Sequence, residues 1–307
     1  MVSQPHVPDE PRGAHDPGGV VGAPLPAPDT RAGRDGLTAL LAEPRRAVIA
    51  LDFDGTLAPI VADPEQARAH PDAVPALAAL APEVLSIAVI TGRPAEVAVA
   101  HGGFGGVPGL EHLVVLGHYG AERWDAVSGE VHAPEPHPGV DAVRTELPGV
   151  LGESGAGSGT WIEEKGRAVA VHTRRAEDPQ AAFDVLVDPL TELAHRHGLV
   201  VEPGRYVLEL RPPGMDKGVA LAAYLAEVDA GSVLYAGDDL GDLPAFSLVE
   251  ELRADGSSGV PGVPGLLVCS GSTEVPELSA RADLSVDGPA GVAQLLAGLA
   301  RAVVRTT

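Results

Sequence analysis

Four short, uninterrupted apolar runs, each ending at once in a polar and glycine-rich segment, constrain this chain more than any other feature. Residues 47–51 read AVIAL and deliver DFDGTL; residues 85–90 read LSIAVI and deliver TGR. Leu113–Leu116 runs into GHYGAE, and Val233–Ala236 (VLYA) into GDDLGD. A run that is apolar at every position, without alternation, suits a strand buried on both faces of a parallel sheet. From Asp72 the spacing of Val74, Leu77 and Leu80 is helical, so the first two runs and this helix make a β–α–β unit. Open parallel sheets bind ligands just beyond the carboxyl ends of their strands, where all four polar segments stand. The expectation is an α/β fold with a parallel sheet, its strand ends converging on one site.

The texture changes between the third and fourth runs. Ala168–Thr173 (AVAVHT) and Arg205–Arg211 (RYVLELR) alternate apolar and polar residues, with a helical stretch around Phe183–His197 between them. A smaller α+β insert is expected there. The glycine-rich stretches 147–160 and 256–265 read as solvated loops. Residues 1–35 carry too few large apolar side chains to offset the entropy of ordering, and a disordered tail is expected.

Composition narrows the function classes. Only 3% of the 307 residues are aromatic, so an aliphatic core of Ala, Val and Leu is expected. A net charge of −22 repels phosphate backbones and anionic membrane surfaces, which argues against nucleic-acid or membrane partners. It repels a small anionic substrate too, so such a substrate needs concentrated local cations or a metal. The single cysteine, Cys269, excludes an internal disulfide, fits a reducing compartment and reads as a small buried hydrophobe. No basic stretch followed by an apolar run opens the chain, and no apolar window reaches membrane-spanning length; a cytoplasmic monomer is expected. His6, His15, His195 and His197 read as exposed and inert.

Asp52 and Asp54 stand two apart at a strand end, so an extended backbone would point both carboxylates the same way. Two carboxylates in one small site cannot both ionise freely, which favours one as an anionic nucleophile and the other as a proton carrier. Gly55 permits the sharp turn that must follow, and Thr56 can bond its own backbone there. Taken alone, DFDGT reads equally well as an acidic turn. Asp238, Asp239 and Asp242 crowd another strand end, a density of negative charge that calls for a cation, and hard oxygen ligands favour magnesium. Asp242 also reads as a helix N-cap. Thr91, Gly92 and Arg93 supply a hydroxyl, a flexible backbone and a cation fit to cradle a phosphate. Lys217 and Lys165 are the only lysines in the chain, and Lys217 stands at a helix start, where an ammonium opposes the macrodipole unless an anion is near.

Together DFDGTL, TGR, DKG and GDDLGD, in this order, resemble the haloacid dehalogenase superfamily. The resemblance covers residues 45 to about 300 and implies a Rossmann-like core carrying a mobile α+β cap. It divides the chain into a tail (1–35), a catalytic core (36–123 and 213–307) and a cap (124–212). It implies that Asp52 attacks phosphorus to form an aspartyl phosphate while Asp54 protonates the leaving alkoxide and later activates water. Magnesium is implied at Asp52, Asp54 and Asp238, with Asp239 and Asp242 as further candidates, and Thr91 and Lys217 on the phosphoryl oxygens.

Four segments are similar to those of the trehalose-6-phosphate phosphatase family: GHYGAE at 117–122, EEK at 163–165, VHTR at 171–174 and ELRPPGMDKG at 209–218. That resemblance implies hydrolysis of a disaccharide phosphate, with Gly92, Arg93, Gly117, His118, Glu122, Glu163, Lys165, His172, Arg174, Glu209 and Arg211 around the substrate. Paired Glu, Lys, His and Arg on a sheet suit many directional contacts to hydroxyls. The chain departs from the family pattern at Tyr119 (His in the family), Gly241 and Leu243 (Thr and Glu) and Asp216 (Asn). Two alternatives stay open: another capped sugar phosphatase, such as a sucrose-phosphate type, and a non-catalytic phosphate- or metal-binding module.

Overall fold

The computed structural model describes residues 25–61, 63–254, 262–271 and 275–306. Each of the four apolar runs forms a strand: β1 (Ala47–Leu51), β2 (Ser86–Ile90), β3 (Leu113–Gly117) and β10 (Ser232–Gly237). They lie in an eight-stranded sheet of order β12-β11-β10-β1-β2-β3-β4-β5, where β4 is Glu122–Asp125, β5 Val131–His132, β11 Gly265–Ser270 and β12 Leu284–Val286. The six strands from β12 to β3 are parallel, and β4 and β5 add on antiparallel. The continuous apolar runs are explained by the layers: Ala47, Ile49 and Leu51 face one helical layer, while Val48 and Ala50 face the other.

The first layer is built on α1 (Arg31–Ala42), α2 (Ala73–Leu80), α3 (Ala95–Gly102) and α9 (Gly288–Thr306). The second is built on α6 (Lys217–Glu227), α7 (Leu243–Ala254) and α8 (Pro276–Arg281). With both faces covered, the site is left to the strand ends. Cys269 is buried in the second layer, as expected of a small hydrophobe.

Between β5 and α6 the chain builds a second unit. Two long helices, α4 (Pro138–Ser154) and α5 (Pro179–Arg196), cover one face of an antiparallel sheet of order β6-β7-β9-β8. Its strands are β6 (Trp161–Glu164), β7 (Val169–His172), β8 (Val200–Gly204) and β9 (Val207–Arg211). Val169, Val171, Leu208 and Leu210 pack under the helices with Val143, Leu147, Leu186 and Leu190. The period of two then turns Trp161, Glu163, His172, Glu209 and Arg211 to the opposite face.

Four boundaries differ from the sequence reading. Residues 31–35, expected in the tail, open α1: Thr30 Oγ1 accepts from Gly33 N at 2.9 Å, and a Cβ on Gly36 would stand 1.9 Å from Gly265 O. Gly36 thus lets α1 lie close against the sheet. Residues 1–24 lie outside the described residues. Of the loop expected over 147–160, the first part is helical, because Val140, Val143 and Leu147 are buried on one face while Gly149 and Gly152 look into open space. Most of the second expected loop lies outside the described residues, and its last residue, Gly265, begins β11. Finally, β4 and β5 pair onto the large sheet, so the chain leaves the core after His132 rather than at 124.

Candidate active site

Asp52 follows β1 directly; its N–H donates to Ala236 O at 2.9 Å, and only 4% of the residue is exposed. The chain bends at Phe53, so the extended geometry that would have aligned Asp52 with Asp54 does not persist. A tight turn follows, closed by Gly55 N to Ala58 O at 2.7 Å and Ala58 N to Phe53 O at 2.8 Å. Gly55 takes φ +77°, and a Cβ there would stand 2.0 Å from Asp238 Oδ2, so glycine both makes the turn and lets Asp238 approach. Thr56 Oγ1 is buried without a hydrogen-bond partner among the described residues, contrary to the expected backbone bond.

Lys217 is the hub. Its Nζ lies 2.7 Å from Asp52 Oδ1, 2.7 Å from Asp242 Oδ1 and 3.9 Å from Asp239 Oδ1. Lys217 begins α6, and these anions supply what an ammonium at a helix start requires. Burial pulls the ammonium down, but Asp242 and Asp52 outweigh it and hold it well above the usual lysine range. Asp216, where the family has Asn, directs its carboxylate to Val219 N at 2.8 Å and caps α6.

Asp242 is saturated. Oδ1 accepts from Lys217 Nζ and from Tyr235 Oη at 2.6 Å; Oδ2 accepts from the N–H groups of Asp238 and Asp239 at 2.9 and 3.1 Å. The expected cap is therefore a reciprocal one, Asp239 accepting from Gly241 N while Asp242 accepts from Asp239 N. Against burial, Lys217 and Tyr235 hold the Asp242 carboxyl below the usual range. Asp239 is capping too, and its side chain is mostly exposed. Four protein donors already occupy the Asp242 oxygens, which still stand with those of Asp52 and Asp238 in a group close enough to share a cation. Tyr235 was missed in the sequence because VLYA read only as an apolar strand.

Thr91 and Arg93 follow β2. Thr91 Oγ1, buried, accepts from Arg93 N at 3.2 Å. Arg93 forms a bidentate fork on Asp54, Nε to Oδ2 and Nη2 to Oδ1, both at 2.7 Å. Its side chain is thus committed to Asp54 in this state, not open toward a phosphate as expected. Gly92 lies against the Tyr119 hydroxyl, and a Cβ on Gly117 would stand 2.3 Å from Ala95 N, so Gly117 serves the close approach of α3. Burial lowers the His118 imidazole, whose Nε2 is 3.7 Å from Glu122 Oε1. Glu122 is engaged on both oxygens: Oε2 accepts from Ala95 N at 2.9 Å and Oε1 from Arg167 Nε at 3.1 Å. Arg167, on the β6–β7 turn, ties the small unit to the core; nothing in its sequence context marked it.

The open face of the small sheet is turned toward this site. Lys165 Nζ donates to Glu209 Oε2 at 2.6 Å, and His172 Nε2 lies 2.6 Å from Glu163 Oε2. Arg211 reaches Glu202 Oε2 at 2.8 Å and stacks its guanidinium 4.4 Å from the centre of the Tyr119 ring. Glu163 contributes to the field at Arg93, and Glu209 and Lys165 to that at His118 and Tyr119, whose hydroxyl burial pushes up to about 12. Arg174 is the exception: it is exposed, its Nη2 3.4 Å from Arg205 O, and the structure does not bring it into the cluster. His195 is exposed as expected, whereas His197 is half-buried and 2.8 Å from Glu146.

The donor set fits a hard cation. Carboxylate oxygens of Asp52, Asp238 and Asp242 lie within 4.8 Å of one another, and Asp238 Oδ1 is buried with no hydrogen-bond partner among the described residues. Burial, then Asp242 and Asp239, push the Asp238 carboxyl up to about 8. Burial likewise drives the Asp52 carboxyl well above the usual range, against the pull of Lys217. An orphaned, buried oxygen among carboxylates that resist ionisation is what a divalent cation would relieve.

The profile of the trehalose-phosphatase family matches residues 50–283, which span both units and every segment of the site. The chain belongs to the trehalose-phosphatase family. Over 233 residues it is 30% identical to a probable trehalose-phosphate phosphatase of Sinorhizobium fredii, covering 74% of this chain and 83% of that one. Over 220 residues it is 37% identical to an uncharacterized glycosyl hydrolase of Mycobacterium tuberculosis, covering 67% of this chain but 15% of that much longer protein. The fold is that of the C-terminal domain of the trehalose-6-phosphate phosphatase of Candida albicans, with a TM-score of 0.68 at 21% identity, covering 91% and 99% of the two chains. This family's α/β core with a smaller inserted α+β unit is the architecture described above. Among the described residues no helix is long and apolar enough to cross a membrane.

Proposed function

We propose that this chain hydrolyses trehalose 6-phosphate to trehalose and phosphate, through an aspartyl phosphate on Asp52. The observation that carries the chemistry is the buried Asp52–Lys217–Asp242 chain at the end of β1, beside an Asp238 oxygen that no protein donor satisfies. Lys217 fixes Asp52 Oδ1 at 2.7 Å, which leaves Oδ2 as the atom to attack phosphorus in line. Magnesium, held by the Asp52 carboxylate, the Asp54 carbonyl and Asp238, would neutralise charge on the transferring phosphoryl group. Thr91 and Lys217 donate to the phosphoryl oxygens. Asp54 gives its proton to the departing sugar oxygen and then takes one from the water that cleaves the aspartyl phosphate. In this state the Arg93 fork occupies both Asp54 oxygens and favours the carboxylate, so it must open on one side before Asp54 carries the proton for the leaving oxygen.

Family membership supports trehalose 6-phosphate as the sugar. Glu163, Lys165 and Glu209 then grip its hydroxyls, and the small sheet excludes water from the cleft. Phosphate release from a panel of sugar phosphates tests this reading. The expected result is preference for trehalose 6-phosphate; equal or better turnover of sucrose 6-phosphate would overturn it.

A further inference from the structure

Glu163 stands at the edge of the site with 39% of its side chain exposed, and among the described residues its orientation rests on a short contact with His172 Nε2 at 2.6 Å. A carboxylate only accepts, so Nε2 carries the hydrogen and the imidazole acts as a donor toward Glu163. The imidazole is itself held: Trp161 stacks on it, ring centres 4.6 Å apart and planes within 7°. Arg175 places its guanidinium 4.4 Å from the centre of the same indole. Trp161 and His172 are cross-strand partners in the β6–β7 register, and Trp161 and Glu163 share a face because they are two residues apart. Neither Trp161 nor Arg175 belongs to a segment that the sequence reading had assigned to the site.

We propose that Trp161 is a positioning residue for sugar specificity, acting through His172 to hold Glu163 at the angle at which it accepts from a substrate hydroxyl. The inference rests on the small sheet being the sugar-binding face; it places His172 behind Glu163 instead of against the sugar. Without the indole the imidazole gains freedom about its side-chain torsions, and Glu163 loses its orientation before substrate arrives. The loss falls on binding of the sugar, whereas phosphoryl transfer at Asp52 is untouched. An aryl phosphate, which has no sugar for Glu163 to grip, should not sense the change.

The test compares KM and kcat of wild type, W161A and W161F on trehalose 6-phosphate and on p-nitrophenyl phosphate. W161A is expected to raise KM for the sugar phosphate about tenfold, equivalent to about 1.4 kcal/mol of lost binding. Its kcat, and its kcat/KM on the aryl phosphate, are expected to stay within about twofold of wild type, and W161F to recover most of the lost KM. An unchanged KM in W161A, or an equal loss on the aryl phosphate, would overturn the inference; the second outcome marks a merely structural role. Should W161A fail to fold, W161F and W161L carry the same comparison, and a loss in W161L that W161F lacks supports the stack. If wild type prefers another sugar phosphate, the reading of trehalose 6-phosphate fails alone, and the KM ratio measured on that preferred sugar still decides the role of Trp161.

Discussion

Replacing Asp242 by Asn separates a positioning role from a metal-binding one. The carboxylate accepts four bonds, from Lys217 Nζ, Tyr235 Oη and the N–H groups of Asp238 and Asp239, and it is fully buried. Asparagine keeps one oxygen and turns an amide, itself a donor, toward two of those four donors. The negative charge facing Lys217 goes as well. Removing one partner of a buried ion pair costs about 3–5 kcal/mol, and Asp52, still 2.7 Å from the ammonium, places the cost near the lower end. About 3 kcal/mol is a large part of a total stability of roughly 5–15 kcal/mol. At roughly 2–4 °C per kcal/mol it lowers Tm by about 6–12 °C. Urea unfolding of the metal-free protein reads this directly, with Y235F as the milder comparator that loses a single bond to the same oxygen. D242N unfolding within about 0.5 kcal/mol of wild type, the scale of an ordinary surface change, would refute the reasoning.

Further outcomes follow from the same geometry. D52N should keep the fold and lose turnover, since the amide is near-isosteric but cannot attack phosphorus; circular dichroism and phosphate release check both halves, and measurable activity removes the nucleophile from Asp52. In the metal-free protein Asp238 titrates at about 8 against an ordinary 3.8, so the folded state holds a proton that the unfolded state has released. Stability of that state should therefore fall as pH rises from about 4 to about 8, and magnesium should raise Tm more above about pH 8 than near pH 5. Thermal melts with and without magnesium check this, and a shift independent of pH contradicts it. Removing Arg167 frees Glu122 Oε1 and one tie between the small unit and the core; R167A should expose the β6–β7 turn to amide exchange and lower stability by about 1.5–3 kcal/mol, since both side chains are largely buried.

The core was legible in the sequence because burial on both faces leaves a mark that few other structures share. Ile49 and Val48 point into opposite helical layers and both must be apolar. The candidate site groups come together for a related reason: they cluster after those strands, where the chain must stop being apolar. Partnership was not legible. That Arg93 would close on Asp54 instead of standing open for phosphate depends on the bend at Phe53, which spacing alone does not reveal. Asp242 counted as one acidic residue among three, and only the backbone turn at Gly237–Asp239 shows its oxygens consumed by N–H groups. Glycine misled in both directions: at Gly33, inside the expected tail, it marks close packing against Asp283, and at Gly149 and Gly152, inside an expected loop, an exposed helix face.

The central claim is that Asp52 carries the phosphoryl group of trehalose 6-phosphate between two chemical steps. D54N, which keeps the nucleophile but cannot supply or accept the proton, should accumulate that intermediate. Rapid acid quench of D54N with magnesium and trehalose 6-phosphate labelled on phosphorus, followed by peptide mapping, measures it. Stoichiometric, hydroxylamine-labile label on the peptide containing Asp52 is expected. Label on another residue, or wild-type phosphate release from D54N with no labelled protein, would contradict it.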